Sequence, residues 1–255
     1  MEAVIIFGFF ATGAILGSFY NVMGLRIPNN ESIVKPRSHC DKCGHVLSWY
    51  ELIPIISFII QGGKCRSCGA KLSWMYPFSE IFCGLLFALS YYSFGFSWNL
   101  LISLIATSLL IVVTVSDLNY MLIPDRFIVI PSIMILLIKL IGFGPKAFLN
   151  SLLSGVFAFA MMFIIMKFGS YIFKKEALGG ADVKLMFVVG ICTEPFLSLT
   201  VIIIASVIAL PISLLLLYRE RENIIPFGPF IVIGLLIILF TKYNSQDIIN
   251  LLLRR

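Results

Sequence analysis

At 255 residues, 60% of them hydrophobic and 13% charged, with a mean hydropathy of +1.02, the chain is too apolar for a soluble domain, where about half of the residues are apolar. The formal charge of +6 comes without the basic stripe and interleaved aromatics of a nucleic-acid-binding domain, so nucleic acid is excluded as the partner and a lipid bilayer takes its place. This composition predicts an all-α polytopic membrane protein.

The first apolar run, 3–25, has no charge and is long enough to cross a hydrocarbon core, which takes about 20 helical residues. It begins with Glu2 and ends in "GLRIPNN", without the basic start and small-residue cleavage site of a signal peptide, so a retained first transmembrane helix is expected over 1–25.

A loop follows over 26–76, with Cys40 and Cys43 in one C-x-x-C pair and Cys65 and Cys68 in a second. Two such pairs can present four thiolates to one zinc ion, and Gly44 and Gly69, immediately after each pair, suit the tight turn of a knuckle. Two disulfides are the alternative, and compartment decides: in a reducing cytoplasm persistent disulfides are rare. A closed four-thiolate site folds its loop and does not activate water. His39 and His45 flank the first pair as substitute ligands, while Cys83 and Cys192 lie in apolar runs and read as small core residues.

Seven more apolar runs, at 77–94, 98–116, 127–141, 147–166, 183–193, 196–217 and 227–240, complete about eight transmembrane helices and make 77–255 a seven-segment membrane region. The run at 183–193 is too short to span alone, so protein must shield its ends or its polar "GGAD" flank lies at membrane depth. With both termini outside, 14 of the 19 Lys and Arg fall on cytoplasmic segments, which puts the cysteine loop and "GGAD" in the cytoplasm.

Carboxylates near or within these runs are candidates for function. Asp125, in "LIPDRF", is placed to cap the following helix, Glu194 lies at an outer turn in solvent, and Glu80 falls one turn inside its segment with no basic residue nearby. Asp117 closes the third run and Asp182 opens the sixth at the same level. They are either a pair in one site or two unrelated interfacial aspartates. As a pair, one carboxyl keeps a proton while the other acts as base towards water, the chemistry of an aspartic protease. Asp182, at the positive end of its helix, is the ionised member in this reading, and Asp117 the protonated one. Lys184, two residues on, reads as a snorkelling interfacial lysine.

The blocks "GSFYNVMGLRIP" (17–28), the paired knuckles with "LIPIISF" between them and "YPFSE" after, "DLNYMLIPD" (117–125), "LGGADVKL" (178–185) and "IPFGPF" (225–230) occur in the order seen in the type IV prepilin peptidases, and the likeness runs along nearly the whole chain. The resemblance implies a bifunctional enzyme of the bacterial cytoplasmic membrane. Such an enzyme cleaves the basic leader of prepilins and pseudopilins on the cytoplasmic side and then N-methylates the new terminus with S-adenosylmethionine. It implies catalytic roles for Asp117 and Asp182, and zinc binding by Cys40, Cys43, Cys65 and Cys68. For the methyl donor only Asn21, Arg26 and Glu80 present themselves, and Asn21 and Arg26 equally suit an interfacial anchor. The family's signature, G-x-G-D, has Ala181 here in place of its second glycine. A peptidase without methyltransferase activity and a non-catalytic zinc-ribbon assembly protein are the rival readings.

Overall fold

The computed structural model describes residues 1–174, 179–220 and 226–242. Among them there is no β-sheet; isolated bridges join His39 to Val46 and Lys64 to Lys71. The helices are α1 (Glu2–Arg26), the short α2 (Ile56–Ile60), α3 (Met75–Phe94), α4 (Trp98–Tyr120), α5 (Arg126–Phe143), α6 (Pro145–Phe173), α7 (Gly180–Cys192), α8 (Pro195–Glu220) and α9 (Gly228–Thr241), with a single 3₁₀ turn at Trp49–Leu52. Five of them, α1, α4, α5, α6 and α8, are long and apolar enough to cross a membrane. At 20 residues α3 has the length but a more polar sequence, which includes Ser79, Glu80 and Ser90.

Two compact units divide the chain, Met1–Phe96 and Ser97–Arg255. In the first, α1 packs along α3 through small residues. A Cβ added at Gly13 would stand 2.8 Å from the Cys83 carbonyl oxygen, one at Gly17 2.9 Å from Cys83 Cβ, and one at Gly84 2.8 Å from the Phe10 carbonyl oxygen. The G-x-x-x-G spacing of Gly13 and Gly17 thus lets two backbones approach closely where apolar solvent offers no hydrophobic drive.

In the second unit α4, α7 and α9 carry most of the buried residues, whereas α5, α6 and α8 turn rows of Ile, Leu and Phe outward. At 13 residues α7 is about 20 Å long at 1.5 Å per residue, too short to span by itself. Nine of its residues are buried, among them Ile191 and Cys192 at its C-terminal end, while Gly180 at its start is exposed.

Several helices extend past their apolar runs, and two of these differences involve the candidate carboxylates. Hydropathy closes the third run at Asp117, but α4 continues one turn further and stops at Met121, whose φ of +51° is left-handed and whose N–H donates to the Asp117 carbonyl at 2.9 Å. Hydropathy starts the sixth at Val183, but α7 starts at Gly180 and takes Ala181 and Asp182 into its first turn. Hydropathy marks where a chain meets hydrocarbon, whereas helix ends follow backbone hydrogen bonds.

Candidate active site and cysteine cluster

Asp117 in the last turn of α4 and Asp182 in the first turn of α7 are both buried, at 6% and 8% exposure. The helices that carry them, α4 and α7, both pack against α9. Each carboxyl is held by a backbone donor. The N–H of Gly228, the first residue of α9, donates to Asp117 Oδ2 at 3.2 Å. The N–H of Gly179, the cap of α7, donates to the Asp182 carboxylate, as the N-cap N–H does to the third helical residue of a capping box.

Gly179 and Gly180 are exposed above the buried Asp182. Gly179 has φ −67° and ψ 138°, extended backbone open to any residue, and nothing lies within 4 Å of a Cβ added at Gly180. Small size is what Gly179 contributes: a Cβ there would stand 3.2 Å from Asp182 Oδ2. Ala181 is helical, where a methyl group is tolerated. Ala181→Gly is therefore expected to leave activity close to that of the parent and to lower stability by about 0.5–1 kcal/mol, read as a slightly lower Tm.

In the sequence Gly228 stands out only as part of "IPFGPF"; its role as a donor is missed there, since a backbone N–H leaves no side-chain signal. A Cβ at this position would lie 2.7 Å from Ile123 Cδ1 and 3.0 Å from Asp117 Oδ2. Gly228→Ala is expected to displace the Asp117 carboxyl and reduce kcat roughly tenfold to a hundredfold, the scale of a ~1 Å misplacement, with KM little changed. Steady-state cleavage assays check both parameters.

Asp125 does not cap α5. It is the N-cap residue but makes no side-chain cap bond, and its Oδ1 accepts instead from Lys184 Nζ at 2.6 Å. The lysine is thus paired and is not a free interfacial cation. The pair ties the α4–α5 loop to the second turn of α7. This loop also folds back on α4, where Ser116 Oγ donates to the Leu122 carbonyl and Ile123 is buried. Both charged side chains are exposed, so Lys184→Met is expected to cost at most ~1 kcal/mol in thermal unfolding. The same pair stands at an apolar cavity of about 400 Å³ lined by Ile128, Val129, Val156, Phe159 and Phe187, which neither Asp117 nor Asp182 lines.

In the first unit the sulfurs of Cys40, Cys43, Cys65 and Cys68 all lie within 4.8 Å of one another. Cys40–Cys68 and Cys43–Cys65 are each 3.9 Å apart, nearly twice a disulfide bond and close to the ~3.8 Å edge of a tetrahedron with metal–sulfur bonds of about 2.3 Å. The two knuckles repeat one geometry: Gly44 and Gly69 have φ of +71° and +70°, and each donates its N–H to the carbonyl of the first cysteine of its pair at 2.8 and 2.9 Å. The donor set and spacing fit a metal. Both histidines are engaged elsewhere: the ring of His39 meets the Arg37 carbonyl at 3.0 Å, and His45 Nε2 meets Glu51 Oε2 at 3.1 Å. The Ser48 N–H and the His45 ring together hold the Glu51 carboxyl below its ordinary pKa.

Asn21, Arg26 and Glu80 each hydrogen-bond within the chain. Asn21 is 1% exposed and shares hydrogen bonds of 2.7 and 2.9 Å with Ser79 Oγ, so it is no interfacial anchor. Arg26 donates to the carbonyls of Ser32 and Pro36 at 3.1 and 2.7 Å, which folds the start of the loop. Glu80 Oε2 accepts from the Ile55 N–H at 2.8 Å.

Two family models match the chain: "Bacterial Peptidase A24 N-terminal domain" over residues 11–94 and "Type IV leader peptidase family" over residues 104–214. A prepilin leader peptidase/N-methyltransferase of Bacillus subtilis is 41% identical over 71% of this chain and 71% of its own length. The chain belongs to the type IV leader peptidase family. A Pseudomonas aeruginosa relative with the same name is 30% identical over 87% of this chain and 85% of its own length. One from Myxococcus xanthus is 34% identical over 82% of this chain, which spans 62% of that relative's length. No solved structure matches. The family's N-terminal model falls within the first unit, with the cysteine cluster, and the leader peptidase model covers both aspartates in the second.

Proposed function

We propose that the protein removes the basic leader of prepilins and pseudopilins by an aspartic-protease mechanism carried by Asp117 and Asp182. The observation that supports this most is a pair of buried carboxyls, 65 residues apart in sequence, on the ends of two helices that both pack against α9. Two such carboxyls share one proton. The ionised member takes a proton from water as the oxygen attacks the scissile carbonyl, and the protonated member gives its proton to the carbonyl oxygen. Collapse of the tetrahedral species then protonates and expels the amine. Each carboxyl has one backbone N–H, from Gly228 or Gly179, so the helix-end argument alone makes Asp182 the base.

Eight helices cross the membrane in this reading, with both termini outside and the aspartates and cysteine loop at the cytoplasmic face of the bacterial inner membrane. A prepilin arrives laterally, its hydrophobic segment in the bilayer and its cleavage point beside the exposed glycines. Zinc is the metal of the four-thiolate cluster; when bound it cross-links the two knuckles and holds the loop between them.

N-methylation with S-adenosylmethionine is proposed from the names of the relatives, and no step of it is assigned to Asn21, Arg26 or Glu80. Incubation of the purified protein with a prepilin and a methyl-labelled donor tests the proposal. Cleavage with label on the new N-terminus supports both activities, and cleavage without label leaves a peptidase alone. Intact prepilin in the presence of folded protein overturns the enzymatic reading in favour of an assembly protein.

A further inference from the structure

The 21 residues between the two knuckles do more than join thiols whose sulfurs stand 3.9 Å apart. They hold the 3₁₀ turn, α2 and a pair of left-handed glycines, Gly62 and Gly63, that turn the chain back to Lys64. This excursion is apolar and uncovered. In α2, Ile56, Ile59 and Ile60 stand at i, i+3 and i+4 on one helical face, with Ile59 and Ile60 70% and 78% exposed. Phe58 is buried on the other side and meets the Trp74 ring edge-on at 4.9 Å. Trp49 and Trp74 are themselves about three-quarters exposed. Such a patch on a small loop marks a surface that something covers.

Depth identifies the cover. Ile55, which leads into α2, is a β-branched residue at φ +64° and ψ −54°, a strained conformation it adopts only when held. What holds it is the bond from its N–H to Glu80, five residues into α3 and so ~7.5 Å along the helix axis from Met75. The excursion is therefore fastened alongside the beginning of α3, and does not stand off in solvent. The outward residues of α3 from that level on, Phe78, Ile81, Leu85 and Leu89, are exposed and apolar, as a lipid-facing helix requires. Charge agrees with depth. Lys35, Arg37, Lys42, Lys64, Arg66 and Lys71 are exposed in the same loop, and Glu31 and Asp41 are its only exposed acids. Tryptophan, isoleucine and flanking cations are what the headgroup boundary of an anionic leaflet takes up.

We propose that the excursion between the knuckles is a membrane-inserted wedge: Ile56, Ile59 and Ile60, flanked by Trp49 and Trp74, sit in the acyl–headgroup boundary of an anionic bilayer, and the loop cations contact its phosphates. The cysteine cluster is then the clasp at the base of the wedge. The wedge rests on the first unit alone and is independent of the catalytic proposal.

The test uses the full chain, one copy per lipid nanodisc, with part of the lipid anionic. Trp49, Trp74 and Trp98 are the three tryptophans of the chain, so a reporter at α2 is made with Ile59→Trp in a background of Trp49→Phe, Trp74→Phe and Trp98→Phe. Lipids brominated near the headgroup end of the acyl chain are expected to quench its fluorescence at least about twofold, with aqueous iodide having little effect, as for a helix buried ~5–10 Å into the boundary. A variant carrying Trp49→Phe and Trp98→Phe, which leaves the native Trp74 and all of α2, gives the same reading if the fourfold variant does not fold. Quenching by iodide and not by bromine overturns the proposal and leaves the patch in water. Protection from both also overturns it, since the cover would then be protein.

Discussion

Replacing either Asp117 or Asp182 with Asn is expected to lower scission of a prepilin about 10²–10⁴-fold, the range a positioned acid or base supplies. Amide and carboxyl have nearly the same shape, so packing around α4 and α7 survives and the loss appears in kcat. Neither amide can take a proton from water, and neither can exchange the single proton that two neighbouring carboxyls share. The double variant is expected to fall no further than the worse single one, because groups that act as a unit are not additive. Two aspartates with unrelated roles would give multiplied losses. Single-turnover cleavage of a prepilin by the four proteins, with circular dichroism to verify folding, decides between these outcomes.

The second large effect lies in the cysteine loop. The parent is expected to carry one zinc per chain, and Cys65→Ser or a strong chelator is expected to remove it. Structural zinc sites contribute on the order of 10–16 kcal/mol of apparent binding free energy, far more than a loop of this size gains from its own packing. Among the loop's apolar side chains only Cys40, Phe58 and Cys65 are buried, and two of these three are themselves members of the sulfur cluster. Little packing would hold the knuckles once the metal is gone, so its loss should open the segment to protease nicking. Cys83→Ser is the control: Cys83 is buried in α3 and is not one of the four clustered sulfurs, so zinc content should stay unchanged. Elemental analysis and limited proteolysis read the two effects separately.

Much of this is legible in the sequence because it is encoded locally. Apolar runs mark helices through their length, two C-x-x-C pairs mark a tetrahedral sulfur set through their spacing, and Gly44 and Gly69 mark the left-handed turns beside them. Asp117 and Asp182 stand out because a carboxylate next to hydrocarbon is costly.

What the sequence could not supply were the partners. Asp125 looks like a cap because an aspartate before a helix usually is one, yet its carboxylate pairs with Lys184, 59 residues away. The N–H that holds Asp117 comes from Gly228, 111 residues away, and the glutamate that fixes Ile55 is 25 residues away. The start of α7 likewise follows the cap at Gly179 and not the hydropathy. The sequence by itself determined which long segments are helical, though not the short α2, and it determined which sulfurs cluster and which carboxylates need explaining, since length, spacing and desolvation cost are properties of neighbouring residues. Only the tertiary structure decided which donor each carboxylate meets, because that depends on how distant helix ends pack and on backbone groups that every residue carries alike.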